Sequence, residues 1–395
     1  MINAPLRLKK NEDRRIRAGH PWVFSNEVDV HATPLSGFEP GQPVQLQDAR
    51  GAPLGSAYVN PRSLIAARLV HRDAGRVLDG ALLRERLARA LALRERVFGA
   101  PFYRLAFGEG DGLPGLVVDR FAEMLVVQIT TAGMEHVRDE VIAALDELLG
   151  PKGILLRNDT PGRELEGLPR YVEPALGTVP EVVALEENGV RFEAPLAAGQ
   201  KTGWFFDHRM NRARLAAYVQ DARVLDVFSY LGGWGVQAAC AGAREAVCVD
   251  VSRPALEGVA ANAALNGVGD RVRTLQGDAF EVLRSLAAAG ERFDVVVLDP
   301  PAFIKRKKDA EKGGEAYRRL NGLGMELLAP DGLLVSASCS YHMGRDTLQD
   351  AMLRASRRTG RDLQIVEEGG QGPDHPWHPA IPETRYLKCF FGRVS

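Results

Sequence analysis

The sequence predicts an α/β protein: a mostly parallel, doubly wound sheet with an antiparallel edge strand, preceded by a small β-rich domain and a small α+β domain. Three observations predict it. At 395 residues the chain exceeds what one hydrophobic core supports, so two or three domains are expected. From about Asn188 onward, short apolar runs alternate regularly with helical runs, the pattern of successive strand–helix–strand crossovers. The strands of this half are nearly continuous in apolar residues, as happens when helices cover both faces of a sheet.

In chain order, residues 1–75 carry the β-like runs PVQLQ, LGSAYV and IAARLV between Gly and Pro turns, which predicts a small β-rich domain. LDGALLRERLARALALRERVFG, Leu78 to Gly99, places apolar residues on one stripe and arginines on the other. This is a connecting amphipathic helix rather than a membrane binder, because neighbouring strands can cover its apolar face. LPGLVVDRF, LVVQITT, a helix over Met134–Leu149 and GILLRND complete an α+β module over residues 76–187.

Residues 188–395 form the third expected domain. RVLDVF (Arg223–Phe228) precedes a glycine turn and helix, EAVCVDV precedes PALEGVAANAALNG, and RVRTLQGD precedes AFEVLRSLAAAG. FDVVVLD leads into a longer connection, and GLLVSAS leads into a helix over Asp346–Arg358. The final run, YLKCFFGRV, alternates and is expected to be the edge strand.

Composition narrows the function classes. Hydrophobic residues make up 45% and charged residues 26%, and no apolar run is long enough for a bilayer, so no membrane partner is expected. MINAPLRLKK lacks an apolar signal core, which predicts a cytoplasmic protein. Cys240, Cys248, Cys339 and Cys389 show no CxxC spacing and no nearby His pair, so no metal is expected. The net charge of −1 argues against bulk attraction to nucleic acid, but it hides two basic patches. Residues 1–75 hold 10 Lys and Arg against 7 Asp and Glu, densest at Arg14, Arg15 and Arg17; Lys305, Arg306, Lys307 and Lys308 follow a strand end. Either patch alone reads as solvated surface.

In an open parallel sheet, ligands sit beyond the carboxyl ends of the strands, where strand order reverses. Asp226 ends the first strand of the third domain; Ser229, Gly232, Gly233 and Gly235 follow it in LDVFSYLGGWGVQAA, the glycines letting backbone approach a ligand at a helix N-terminus. Asp250 ends the second strand, where a carboxylate can accept both hydroxyl protons of a ribose. Asp278 and Ala279, after the third, are placed to meet an adenine edge, and Asp299 follows the fourth. One Asp before a helix is usually a cap; four at successive strand ends suggest a crevice. With no GxGxxG and no phosphate-cradling lysine motif after its strands, the crevice of this third domain suits a sulfonium nucleoside better than a pyrophosphate. It resembles class I S-adenosylmethionine-dependent methyltransferases, NAD binding being the rival. GQKTGWFFDHRMNR, just upstream, is expected to wall the cofactor with Gln200, Lys201, Thr202 and Asp207, or else to be a polar loop.

LDPPAF resembles the [DN]PP[FY] signature that presents an acid or amide and an aromatic ring to a planar nitrogen base. Pro300 and Pro301 remove backbone donors and fix a narrow slot. Asp299 can bond the amine edge of cytosine, and Phe303 either stacks on the base or packs the loop. Methylation at an exocyclic nitrogen needs no covalent help. Cytosine C5 is a poor nucleophile until a thiolate adds at C6. Cys339, in SASCS at the exit of the fifth strand, stands where that thiolate is required. A cysteine at a strand end is commonly a buried filler, but the neighbouring DPPAF favours the nucleophile. Cys240, Cys248 and Cys389 read as structural.

Together, RLKKNEDRRIRAGHPWVFSNEV, FGEGDGLPGLVVDRF, GQKTGWFFDHRMNR, LDPPAF, SCS and HPAIPETRYLKCFFGRV resemble the RlmI-type 23S ribosomal RNA cytosine-5 methyltransferases over nearly the whole chain. The resemblance implies an RNA-binding PUA domain, a central α+β domain, a Rossmann-like methyltransferase domain, S-adenosyl-L-methionine as cofactor and large-subunit ribosomal RNA as partner. It makes Cys339 the nucleophile and Asp299 the residue that holds the base. Many RNA cytosine-5 methyltransferases carry a second cysteine after the DPP-like motif; Ala302 stands there, so the base that removes the C5 proton is not identified. Asp299, a water or His342 can be proposed, although one loop histidine reads as structural. The two basic patches then suggest phosphate contacts, with the target base unstacked. The N-terminal domain suits a homodimer contact equally well. Two alternatives stand: a methyltransferase acting on nitrogen in RNA or protein, and a non-catalytic RNA-binding assembly factor.

Overall fold

The computed structural model describes residues 4–197, 199–200, 202–304 and 306–395. Its contacts divide the chain into two compact units. One comprises Met1–Val183, Pro195–Trp204 and Pro373–Thr384; the other comprises Ala184–Ala194, Phe205–Gly372 and Arg385–Ser395.

The first unit holds two five-stranded sheets. Strands β1 (Ala4–Arg7), β2 (Trp22–Val23), β3 (Gln42–Gln47), β4 (Pro53–Val59) and β5 (Ala67–His71) assemble in the order β1-β3-β4-β5-β2, with the short helix α1 (Asp13–Arg17) between the first two. Leu6, Ile16, Val44, Leu46 and Val59 fill its core. Helix α2 (Gly80–Val97) follows, started by Asp79, whose side chain accepts from Leu82 N at 2.9 Å. It buries Leu82, Leu83 and Leu87 against the second sheet. That sheet takes β6 (Phe102–Phe107), β7 (Leu116–Phe121), β8 (Met124–Ile129), β9 (Gly153–Asn158) and β10 (Tyr171–Gly177) in the order β10-β9-β8-β7-β6. Helices α3 (Ala132–His136) and α4 (Arg138–Leu149) join β8 to β9, α4 ending at a left-handed Gly150, and α5 (Gly162–Leu165) precedes β10. Buried polar bonds fasten the two sheets' neighbourhoods: Tyr58 donates to Pro114 O at 3.1 Å, and Arg68 pairs with Glu166 at 3.0 Å.

A hairpin of β11 (Val182–Glu187) and β12 (Val190–Pro195) leads into helix α6 (Arg209–Leu215). The seven-stranded sheet of the second unit is made of β13 (Arg223–Val227), β14 (Glu245–Asp250), β15 (Val272–Gln276), β16 (Phe293–Leu298), β17 (Leu328–Ser338), β18 (Leu363–Gly369) and β19 (Lys388–Val394). Their order is β15-β14-β13-β16-β17-β19-β18. The first five run parallel and alternate with α7 (Gly235–Cys240), α8 (Arg253–Leu265), α9 (Ala279–Ala288) and α10 (Ala310–Leu327); α11 (Arg345–Thr359) follows β17. Ser252 and Asp278 cap α8 and α9, and left-handed Gly360 closes α11. Strand order reverses at β13, which lies between β14 and β16.

The C-terminal run is not the edge strand the alternation suggested. β19 lies one place in, antiparallel to both β17 and β18. Its side chains explain this: Cys389, Phe390, Phe391 and Val394 are all buried, so both faces need cover. β18, with Glu367, Glu368 and exposed Ile365 and Val366, tolerates the rim. Among the described residues, no helix is long and apolar enough to cross a membrane, and no three His, Cys, Asp or Glu side chains gather as a metal site.

Candidate active site

The carboxyl edge of the seven-stranded sheet carries the expected row of carboxylates. In spatial order they are Asp278 beyond β15, Asp250 at the end of β14, Asp226 one residue before the end of β13 and Asp299 just after β16. They do different things. Asp278 is exposed and caps α9, accepting from Glu281 N at 3.2 Å, with Ala279 buried behind it. Asp250 accepts from Tyr230 N at 3.0 Å and Ser252 N at 2.8 Å, pinning the loop from β13 to its own turn.

Asp226 is fully buried. One oxygen accepts from Gly235 N at 2.9 Å, while Oδ1 has no partner among the described residues. Burial pushes its carboxyl up to about 7, with nearby Asp299 and Asp250 adding to the rise. Ser229 Oγ is likewise buried and unpartnered. On either side of Ser229 the backbone is strained: Phe228 (φ 67°) and Tyr230 (φ 48°) occupy the left-handed region without being glycine. Gly235 packs so closely that a Cβ would run into Cys248 Sγ and come within 3.2 Å of Asp226 Oδ2.

Across the switch point, Asp299 is held rather than open. Trp234 Nε1 donates to Oδ2 at 3.1 Å, and His208 Nε2 lies 3.2 Å from Oδ1. Asn211 donates to the other ring nitrogen of His208 at 3.1 Å, which directs the imidazole proton toward Asp299. Burial alone would raise the Asp299 carboxyl, but His208 and Trp234 outweigh it and hold it below its ordinary value. Pro300 is buried beside it. Phe303 packs within the loop, its ring 4.9 Å from Tyr317 and 6.2 Å from Phe280.

β16 and β17 are parallel neighbours, with Leu298 opposite Ser336, so Asp299 and Cys339 leave adjacent strands at the same edge. Cys339 is partly exposed. Its flanking serines are clamped: Ser338 Oγ donates to Tyr317 Oη at 2.8 Å, Tyr317 Oη bonds Ser340 Oγ at 3.1 Å, and Ser340 Oγ accepts from Ile304 N. Cys248 and Cys389 are fully buried, and burial pushes both thiols well up. Cys240 is exposed at the end of α7. His342 is exposed, its ring 4.9 Å from Tyr341.

The upstream segment divides. Exposed Gln200 and buried Thr202 belong to the first unit, Asp207 to the second, and Lys201 lies outside the described residues. Asp207 accepts from Tyr386 Oη at 2.6 Å, and its carbonyl accepts from Gly372 N. Of the basic patches, Arg15 is paired with Glu27 at 2.7 Å, and Arg17 with Asp13 and Asp48; Arg14 lies 3.5 Å from Asn11 Oδ1. Arg306 pairs with Asp309 at 3.0 Å, Lys307 and Lys308 are exposed, and Lys305 lies outside the described residues. His208, Trp234, Tyr317 and Lys388 were not anticipated from sequence. For Tyr317 and Lys388 no local signal existed; His208 sat unremarked inside GQKTGWFFDHRMNR.

The order 3-2-1-4-5-7-6, with one antiparallel strand inserted beside the last parallel strand and a carboxylate-lined crevice at the switch point, defines a class I S-adenosylmethionine-dependent methyltransferase. Family models agree: a PUA-like domain matches residues 6–72, and an S-adenosylmethionine-dependent methyltransferase matches residues 172–388. Ribosomal RNA large subunit methyltransferase I of Cronobacter sakazakii is 36% identical over 98% of this chain and 99% of its own. The protein of the same name from Tolumonas auensis is 37% identical over 96% and 97%. Among solved structures, a chain described as a methyltransferase complexed with SAH superposes at a TM-score of 0.84 with 20% identity, covering all of both chains. A SAM-dependent methyltransferase structure from Streptococcus mutans gives 0.83, also with 20% identity, over 99% and 100%. The chain belongs to the ribosomal RNA large subunit methyltransferase I family.

Proposed function

We propose that this enzyme forms 5-methylcytosine in large-subunit ribosomal RNA through a transient covalent bond between Cys339 and the base. The carrying observation is the pairing of β16 with β17, which sets an acid and a thiol side by side at the sheet edge. Asp299, aligned by His208 and Trp234, accepts from the amine edge of cytosine. The Cys339 thiolate adds to C6, the electron pair moves to C5, and C5 takes the methyl group. Loss of the C5 proton then restores the double bond and expels the thiolate.

Asp226 Oδ1 and Ser229 Oγ, unpartnered among the described residues, with the close-packed backbone at Gly232 and Gly235, fit an amino-acid-bearing cationic cofactor, and Asp250 fits its ribose hydroxyls. When bound, S-adenosylmethionine supplies an electrophilic methyl group on sulfonium. Residues 1–75 serve as the RNA-binding domain, 76–187 as the connecting α+β domain and 188–395 as the catalytic domain. Arg14, Lys307 and Lys308 are the described cations of the two patches best placed to meet phosphate, because their charges are not already taken by the acidic neighbours of Arg15, Arg17 and Arg306.

The test is Cys339→Ala with RNA carrying 5-fluorocytosine. The reading expects a trapped protein–RNA adduct with the native enzyme and none with the variant. Full methylation by Cys339→Ala would instead establish transfer to nitrogen. Bisulfite sequencing that finds ribosomal RNA from a deletion strain unchanged would overturn cytosine-5 methylation and favour a binding role or transfer to nitrogen.

A further inference from the structure

Lys388 is the first residue of β19 and pairs with Ser338 across the antiparallel ladder, one residue before Cys339. Its side chain is buried, 5% exposed, in a position where lysine is rarely found. Nζ donates to Ser340 O at 2.6 Å and to Tyr386 O at 2.7 Å. The cation thus lies against the carbonyl that follows Cys339, beneath a segment whose two serines are already fixed by Tyr317. Nothing in the fold requires an ammonium there. Ser340 O and Tyr386 O could have been met by backbone amides, and among the described residues no carboxylate pairs with Nζ. A buried cation without a carboxylate is costly unless some other anion forms beside it.

We propose that Lys388 is a positioning residue whose ammonium is the built-in counter-charge of Cys339, holding the sulfur as thiolate before the base arrives. This rests on Cys339 being the nucleophile. The balance is simple: the Sγ proton leaves to solvent, Nζ keeps its three protons, and the negative charge stays on sulfur until the C6–Sγ bond forms. It returns to sulfur when that bond breaks. The other groups around the pair are the Tyr317 phenol from α10, Arg345 from α11 with its partner Glu368 on β18, and Tyr386, whose hydroxyl donates to Asp207. Burial pushes Lys388 down to about 8; Cys339 opposes the fall and Arg345 adds to it. The counter-charge is therefore present below about pH 8 and fades above it.

The experiment is the pH dependence of Cys339 alkylation by iodoacetamide, read by mass spectrometry on the full chain in a Cys240→Ser background. Lys388→Gln keeps an NH2 group able to donate to both carbonyls but removes the charge. We expect the native thiol to titrate at least one unit below that of K388Q, so that alkylation at pH 7 slows about tenfold in the variant. Lys388→Arg should recover part of the loss. S-adenosylhomocysteine binding, unchanged, certifies the fold. Superimposable native and K388Q profiles overturn the proposal. So does a native thiol that titrates at or above the ordinary cysteine value of about 8.5, a measurement that needs no variant to fold. Methylation by Cys339→Ala would sink the nucleophile reading separately, while the alkylation profile would still report whether Lys388 acts on the thiol.

Discussion

On the β13–β14–β15 side of the carboxyl edge, polar atoms stand open: Asp226 Oδ1 and Ser229 Oγ are buried with no partner among the described residues, behind a loop strained at Phe228 and Tyr230. On the β16–β17–β19 side the same kinds of atoms are already engaged, Asp299 by His208 and Trp234, Ser338 and Ser340 by Tyr317, Lys388 by two carbonyls. Under the proposed function, the difference matches two jobs. A cofactor brings its own ammonium and hydroxyls, so its half of the crevice is completed on binding. A reacting base brings only a flat edge and an electrophilic carbon, so its half must be aligned beforehand, where reorganisation would otherwise add to the barrier.

Substitutions on the two sides should therefore separate. The largest effect belongs to Cys339→Ala, expected to lower methyl transfer by at least about 10³-fold while leaving S-adenosylhomocysteine affinity within twofold by calorimetry; a comparable loss of affinity would mean the halves are not independent. Next is Asp226→Asn. Its carboxyl is raised from 3.8 to about 7, so the folded protein binds the proton more tightly than the unfolded chain. That contribution is fully present below about pH 4 and is lost as pH rises through about 7. Removing the charge should therefore stabilise the cofactor-free protein above pH 7, by up to ~4 kcal/mol, and change nothing near pH 4. Thermal unfolding at both pH values checks this, and weaker cofactor binding should accompany the gain.

Gly235→Ala comes third. The added methyl meets Cys248 and Asp226, so a cost of about 1–3 kcal/mol in stability is expected, with a matching loss of cofactor affinity; an unchanged midpoint in denaturant would show that the helix start can shift freely. The smallest is His208→Gln. His208 helps hold the Asp299 carboxyl below its ordinary value, so its loss should raise that carboxyl and move the acid limb of the kcat/KM profile to higher pH. A shift of roughly one unit or less is expected, with cofactor affinity unaffected.

Much of this was legible in the sequence because it is local. A carboxylate at the end of an apolar run, a glycine cluster before a helix and a cysteine between serines all announce themselves within ten residues, and the resemblance over the whole chain supplied the rest of the fold class. What was not legible is what long-range pairing creates. Asp207 meets Tyr386 across 179 positions, Lys388 meets Ser340 across 48 and Trp234 meets Asp299 across 65. The place of β19 inside the sheet depends on which strand covers which face, and alternation alone does not report that. Asp278 shows the converse: a residue read as part of the crevice is also an ordinary helix cap.

The segment Pro373–Thr384 belongs to the first unit, yet the chain leaves the second unit at Gly372 to form it and re-enters at Arg385. There Asp374 is buried, accepting from Arg104 N at 3.1 Å, and its carbonyl accepts from Arg94. During synthesis, the unit that begins first cannot close until the chain is nearly complete. The N-terminal half should emerge from the ribosome with Arg94 and Arg104 able to pair with Asp111 and Asp119 but still lacking Asp374, and a chain stopped short of residue 373 should leave both units unfinished rather than release one folded domain.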